Sequence, residues 1–162
     1  MSNKKIIIAL DNNDNITQIL DLIAELKDES FAFKIGYEFF FNFGIEGYKL
    51  IQNQNVRIFL DLKLHDIPNT VKNGLQSISK LNPFFTTIHI SGGDDMQNAA
   101  VFSKNNIKIL GVSILTSLDE KQTEKYYYNK NLEKIVSDFT NYALVNKLDG
   151  IVCSPLEVKF VR

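Results

Sequence analysis

Six short apolar runs recur along the chain, at Ile6 to Asp11, Phe31 to Gly36, Arg57 to Leu62, Phe85 to Ile90, Ile107 to Ser113 and Gly150 to Ser154. Each has the length of a strand buried on both faces. The segments between them carry apolar residues at helical spacing, as in Ile16-Ile19-Leu20-Ile23-Leu26 and Leu132-Ile135-Val136-Phe139-Ala143. Pro68 and Pro155 suit the first turns of helices. The order is therefore β-α six times over, which means a parallel sheet, either doubly wound or closed into a barrel. No Pro/Gly linker or low-complexity segment interrupts it. Residues 1–162 read as a single domain, and at 44% hydrophobic residues they can bury a real core.

Six units do not close the common barrel, which needs eight strands and typically about 250 residues. Leu156 to Arg162 resembles the opening of a sixth helix without cap or terminal glycine. The expectation is a barrel domain incomplete at the C-terminus.

Several function classes are disfavoured. A formal net charge of −1 gives no reason to expect nucleic acid or an anionic membrane surface as a partner. No apolar run approaches the roughly 20 residues that span a bilayer. Met1-Ser2-Asn3-Lys4-Lys5 leads into Ile6-Ile7-Ile8-Ala9-Leu10, but Asp11 ends that run without a small-residue cleavage site, so it reads as a first strand rather than a signal segment. The single Cys153 excludes an intrachain disulfide and a cysteine-based zinc cluster, and suits a cytoplasmic location. Neither a Walker A pattern nor a GxGxxG fingerprint occurs.

Chemistry-bearing residues gather where strands run out. Asp61-Leu62-Lys63-Leu64-His65-Asp66-Ile67-Pro68-Asn69-Thr70 follows the apolar Val56-Arg57-Ile58-Phe59-Leu60, and on an extended backbone Asp61 and Lys63 point to one side. Asp11 ends the first run and Lys34 lies near the end of the second. In a parallel α/β protein these ends converge on one mouth. Alone, each residue reads as a surface charge. As a set they differ, because a buried lysine without a partner costs several kcal/mol, so Lys34 and Lys63 should pair with Asp11, Asp61 or Asp66. An alternating charge array can fix a lysine as a proton donor. Metal binding competes for the same carboxylates, but the interleaved lysines already neutralise them. His65 reads as a structural or interface group, and His89 as a core histidine or one facing the mouth. Cys153 reads as buried in a strand with no base beside it. Gly92-Gly93-Asp94-Asp95 reads as a turn and helix N-cap in preference to an anion site at a helix start, because of the neighbouring acids.

The ten residues Asp61 to Thr70 resemble the signature of the orotidine 5′-phosphate decarboxylase family. In register with them are Ile8-Ala9-Leu10-Asp11, Phe33-Lys34-Ile35-Gly36-Tyr37-Glu38, His89-Ile90-Ser91-Gly92-Gly93, Leu115-Thr116-Ser117 and Asp149-Gly150-Ile151-Val152-Cys153-Ser154. The resemblance implies a TIM (β/α)8 barrel, of which about six units are present. It implies a homodimer with active sites at the subunit interface, the substrate orotidine 5′-phosphate, and no metal or cofactor. It makes Lys63 the proton donor to C6 of the pyrimidine, flanked by Asp61 and Lys34, with Asp66 reaching across from the partner. Asp11 and Lys34 resemble ribose contacts. Asp66, Ile67 and Thr70 resemble the partner's contributions, and Thr116 resembles a contact to the pyrimidine edge.

Family members also carry a Pro-Gly-Ile-Arg-like loop and a Gly-Arg pair that grip the substrate phosphate after strands seven and eight, and this sequence ends before either. Remote binding energy organises the reacting end of a substrate, so residues 1–162 alone are expected to show little or no activity. Two other classes remain: a Mg²⁺-dependent sugar-phosphate decarboxylase or aldolase of the same fold, and a non-catalytic barrel fragment.

Overall fold

The computed structural model of the protein describes residues 5–11, 14–128 and 131–162; Met1 to Lys4, read as the lead-in to the first strand, lie outside the described residues. All the expected strands form, as β1 (Ile7–Ala9), β2 (Ala32–Ile35), β3 (Ile58–Leu64), β4 (Phe85–His89), β5 (Lys108–Val112) and β6 (Gly150–Val152). The helices are α1 (Ile16–Leu26), α2 (Tyr37–Gln52), α3 (Pro68–Ser79), α4 (Asp94–Ser103), α5 (Glu120–Tyr127), α6 (Leu132–Val145) and α7 (Val158–Val161), with 3₁₀ turns at Ile90–Gly92 and Pro155–Glu157. The order within the sheet is the chain order, β1 to β6. That separates the two parallel architectures, since a doubly wound sheet reverses direction at a switch point and a (β/α)8 barrel adds each strand beside the last. The chain carries six of a TIM barrel's β/α units. It divides into two compact units, Met1–Leu62 with Asn82–Thr86, and Lys63–Leu81 with Thr87–Arg162.

In the first unit, β1 pairs parallel with β2 and β2 with β3. Asn15 starts α1 by accepting hydrogen bonds from the N–H groups of Thr17 and Gln18, at 3.0 and 3.3 Å, the usual work of an N-cap asparagine. The helix then buries Ile19 and Ile23, four apart on one face. Phe33 and Ile35 are buried on one side of β2, leaving Lys34 on the other. Helix α2 is interrupted at Gly44, whose φ of 58° and ψ of −152° only glycine adopts readily. Beyond the break Tyr48 and Ile51 are buried, and burial pushes the Tyr48 phenol well above its ordinary pKa. Phe84 and Phe85 join Phe31 and Phe59 in edge-on and tilted ring pairs, and the Arg57 guanidinium lies 4.6 Å from the Phe31 ring centre.

In the second unit, Pro68 occupies the first position of α3, which buries Val71, Leu75 and Ile78 and packs on α4. The turn at Gly92-Gly93 forms, but Gly93, at φ 86°, holds the N-cap position of α4 without a side-chain cap. The Asp94 carboxylate instead accepts a hydrogen bond from Asn146 Nδ2 at 2.8 Å. Helix α5 was not foreseen; Asp119 and Gln122 form a capping box that starts it within a polar stretch. Ile114, Ile135 and Val136 form a core flanked by Leu118, Leu132 and Phe139. Cys153 lies one residue past β6 and is half-buried rather than inside the strand.

Gly111 in β5 is a close-packing point. A Cβ there would stand 2.7 Å from Ile90 Cγ1 and 2.8 Å from Leu148 Cδ1. Gly111→Ala is expected to destabilise the protein by about 1–3 kcal/mol through overpacking, read as a lower midpoint in urea.

Candidate active site

The register explains how the first unit builds a charged cluster. Ala9 lies beside Lys34, and Lys34 beside Phe59. Paired residues of parallel strands share a face, and positions two residues further share it again. Asp11 and Asp61 are therefore on the Lys34 face, one pleat closer to the strand ends, within reach of a long lysine stem. The Lys34 Nζ donates to both oxygens of Asp11, at 3.0 and 2.9 Å, and lies 3.9 Å from Asp61 Oδ2. The side chain of Asp61 is only 10% exposed, that of Lys34 21% and that of Asp11 45%. An ammonium shared by two carboxylates is thus partly withdrawn from water, and its charge is compensated there. In the same unit the Tyr37 hydroxyl donates to the Leu62 carbonyl, tying the start of α2 to β3.

At Lys63 the structure departs from the sequence expectation. A continuously extended backbone would put Asp61 and Lys63 on one side of the strand, yet Lys63 has φ 45°, in the left-handed region. Period-two alternation cannot be carried through such a residue. Its N–H donates to Thr87 Oγ1 of β4 at 2.8 Å, and Thr87 is fully buried. The sequence alone singles out neither Thr87 nor Tyr37 for a role. Both are hydroxyl groups near strand ends, a signal too common to single them out.

The other predicted residues are on the surface of the second unit. Asp66, Ile67 and Thr70 are exposed, and Ile67 is 67% accessible despite being aliphatic. The Asp66 carboxylate accepts the Ile67 N–H at 2.7 Å, which fixes the bend before Pro68. Thr116 is exposed in the loop after β5 and lines a cavity of about 340 Å³ with Ser154 and Glu157. The rings of His65 and His89 are 5.1 Å apart and tilted by 33°. The Cys153 thiol is pushed up by burial first and the Glu157 charge second, which keeps it protonated and a poor nucleophile near neutral pH.

A family model described as "Orotidine 5′-phosphate decarboxylase / HUMPS family" matches residues 4–162. The chain belongs to this family. Among curated family members, the orotidine 5′-phosphate decarboxylase of Buchnera aphidicola is 38% identical over 99% of this chain and 69% of its own length. That of Ehrlichia chaffeensis is 40% identical over 100% of this chain and 71% of its own. The solved orotidine 5′-phosphate decarboxylase of Lactobacillus acidophilus superposes with a TM-score of 0.84 at 36% identity, covering 98% of this chain and 75% of that one. A solved uncharacterized conserved protein from Geobacillus kaustophilus gives 0.87 at 28% identity, covering 96% and 76%. Family membership gives the strand-end charges a chemical context. No group of three or more His, Cys, Asp or Glu placed to hold a metal ion occurs among the described residues. Between Asp11 and Asp61 the cation is the Lys34 ammonium. No helix among them is long and apolar enough to cross a membrane.

Proposed function

We propose that this protein converts orotidine 5′-phosphate to UMP and CO₂ without a metal or cofactor, as a cytoplasmic enzyme on a single (β/α)8 barrel domain of which residues 1–162 carry six units. The observation that carries the reading is the Lys34 ammonium held between Asp11 and Asp61 at the strand ends, in a chain that carries the complete Asp61 to Thr70 signature. Loss of CO₂ leaves an electron pair at C6 with little resonance to absorb it. The Lys63 ammonium stabilises that charge and then donates the proton to C6, becoming a neutral amine. Asp61 lies beside the departing carboxylate and disfavours the bound reactant relative to the transition state. Asp11 and Lys34 bind the ribose hydroxyls, an acceptor and a donor already oriented by their own ion pair. Thr116 binds the pyrimidine edge.

Asp66, Ile67 and Thr70 serve the site of a second copy in a homodimer. Their exposure supports this, since an aliphatic side chain as open as Ile67 at the start of a helix is suited to burial by a partner.

The test is decarboxylation of orotidine 5′-phosphate by the protein expressed at its full genetic length, followed by the change in pyrimidine absorbance with and without EDTA. Turnover indifferent to EDTA is the expected result. No turnover overturns the reading, and turnover lost to EDTA and restored by Mg²⁺ overturns its metal-free part.

A further inference from the structure

Among the described residues, six besides glycine have positive φ: Asn55, Lys63, Asn82, Asn105, Tyr128 and Lys147. Five of them follow the ends of α2, α3, α4, α5 and α6, where a left-handed residue commonly terminates a helix. Lys63 alone lies within a strand, and it is the residue assigned to proton transfer. A left-handed lysine is disfavoured by contact between its Cβ and the carbonyl oxygen that follows, so the conformation persists only where the surroundings hold it. The hold is visible. The Lys63 N–H, which needs an acceptor once inside the protein, donates to the hydroxyl of Thr87 at 2.8 Å, and Thr87 is fully buried in β4.

We infer that Thr87 is a positioning residue for Lys63. Its hydroxyl fixes the turned backbone from which the lysine stem leaves β3, and so determines where the ammonium stands. The inference rests on the proposed decarboxylase reading for its kinetic consequence, not for the hydrogen bond itself. A threonine suits the task because the branched β-carbon leaves few rotamers, so the oxygen is held in place before Lys63 meets it.

Thr87→Val keeps the shape and removes the acceptor; Thr87→Ser keeps the acceptor. In the full-length protein, Thr87→Val is expected to lower kcat by about 10- to 100-fold, the scale of a small displacement of a reacting group. KM should stay within about twofold, as ribose and base contacts are untouched. Thr87→Ser should recover most of the loss. Amide exchange at Lys63, followed by NMR, should quicken in Thr87→Val and not in Thr87→Ser. An unchanged kcat with faster exchange overturns the positioning role, and so does a parallel loss of kcat, KM and melting temperature that serine fails to repair. If the parent protein shows no decarboxylation, the function reading fails separately, and Lys63 exchange alone judges the inference: equal rates in parent and Thr87→Val overturn it.

Discussion

Lys63→Ala is expected to lower kcat for decarboxylation by about 10⁴-fold, with kcat/KM falling in step. General acid catalysis by a positioned group contributes about 10²–10⁴-fold, and a preorganised charge at the developing anion about 10²–10³-fold. In the proposed mechanism Lys63 supplies both, and the two overlap, so the combined loss falls short of their product. Both act in the transition state rather than on the bound substrate, which is why the two kinetic parameters move together. Lys63 is half-buried and not one of the buried apolar core residues, so the melting temperature should change far less than the rate. Lys63→Arg should not restore the rate, because a guanidinium stays protonated and its planar fork cannot reach C6 as a point charge does. Steady-state kinetics on the full-length variants decides this. A kcat within tenfold of the parent removes the catalytic assignment.

Lys34→Ala strikes stability and activity at once. It removes the cation that Asp11 and Asp61 share and leaves two carboxylates facing one another, Asp61 in a largely buried position. Breaking a fully buried ion pair costs about 3–5 kcal/mol, whereas an exposed pair contributes less than about 1. Asp11 is nearly half exposed, so the expected loss is intermediate, about 2 kcal/mol in a urea titration. Adding Asp61→Asn in the same chain should recover part of it, since the second change removes one of the two like charges. Activity should fall about 10²-fold through loss of the proposed ribose contact. A Lys34→Ala protein as stable as its parent would show that the cluster is solvated and not held.

Much of the architecture was legible before any coordinates. The six apolar runs matched the strands to within one or two residues at most ends, with β3 running two residues further, and helices α1 and α6 followed the spacing of their apolar residues. Both signals depend on short-range periodicity, which burial on one face enforces locally. Three asparagines, at 55, 82 and 105, had no reading in the sequence and turn out to take the left-handed positions after helices, a conformation asparagine tolerates. Other features lay beyond reach. The break in α2 at Gly44 resembles any glycine within a helical pattern. The aromatic cluster of Phe31, Phe59, Phe84 and Phe85 unites residues from three strand regions that local spacing cannot relate.

The candidate site divides in the same way. The meeting of Asp11, Lys34 and Asp61 at adjacent strand ends follows from residues alone once parallel neighbours are granted, because the two-residue pleat assigns each charge to a face without knowledge of distant contacts. The conformation of Lys63 does not follow. Local energetics favour an extended lysine there, and the chain takes the left-handed turn with its N–H donated to Thr87, 24 residues away. A local preference can be overruled only by a partner from elsewhere in the fold, and such a partner has no signature at the position it controls.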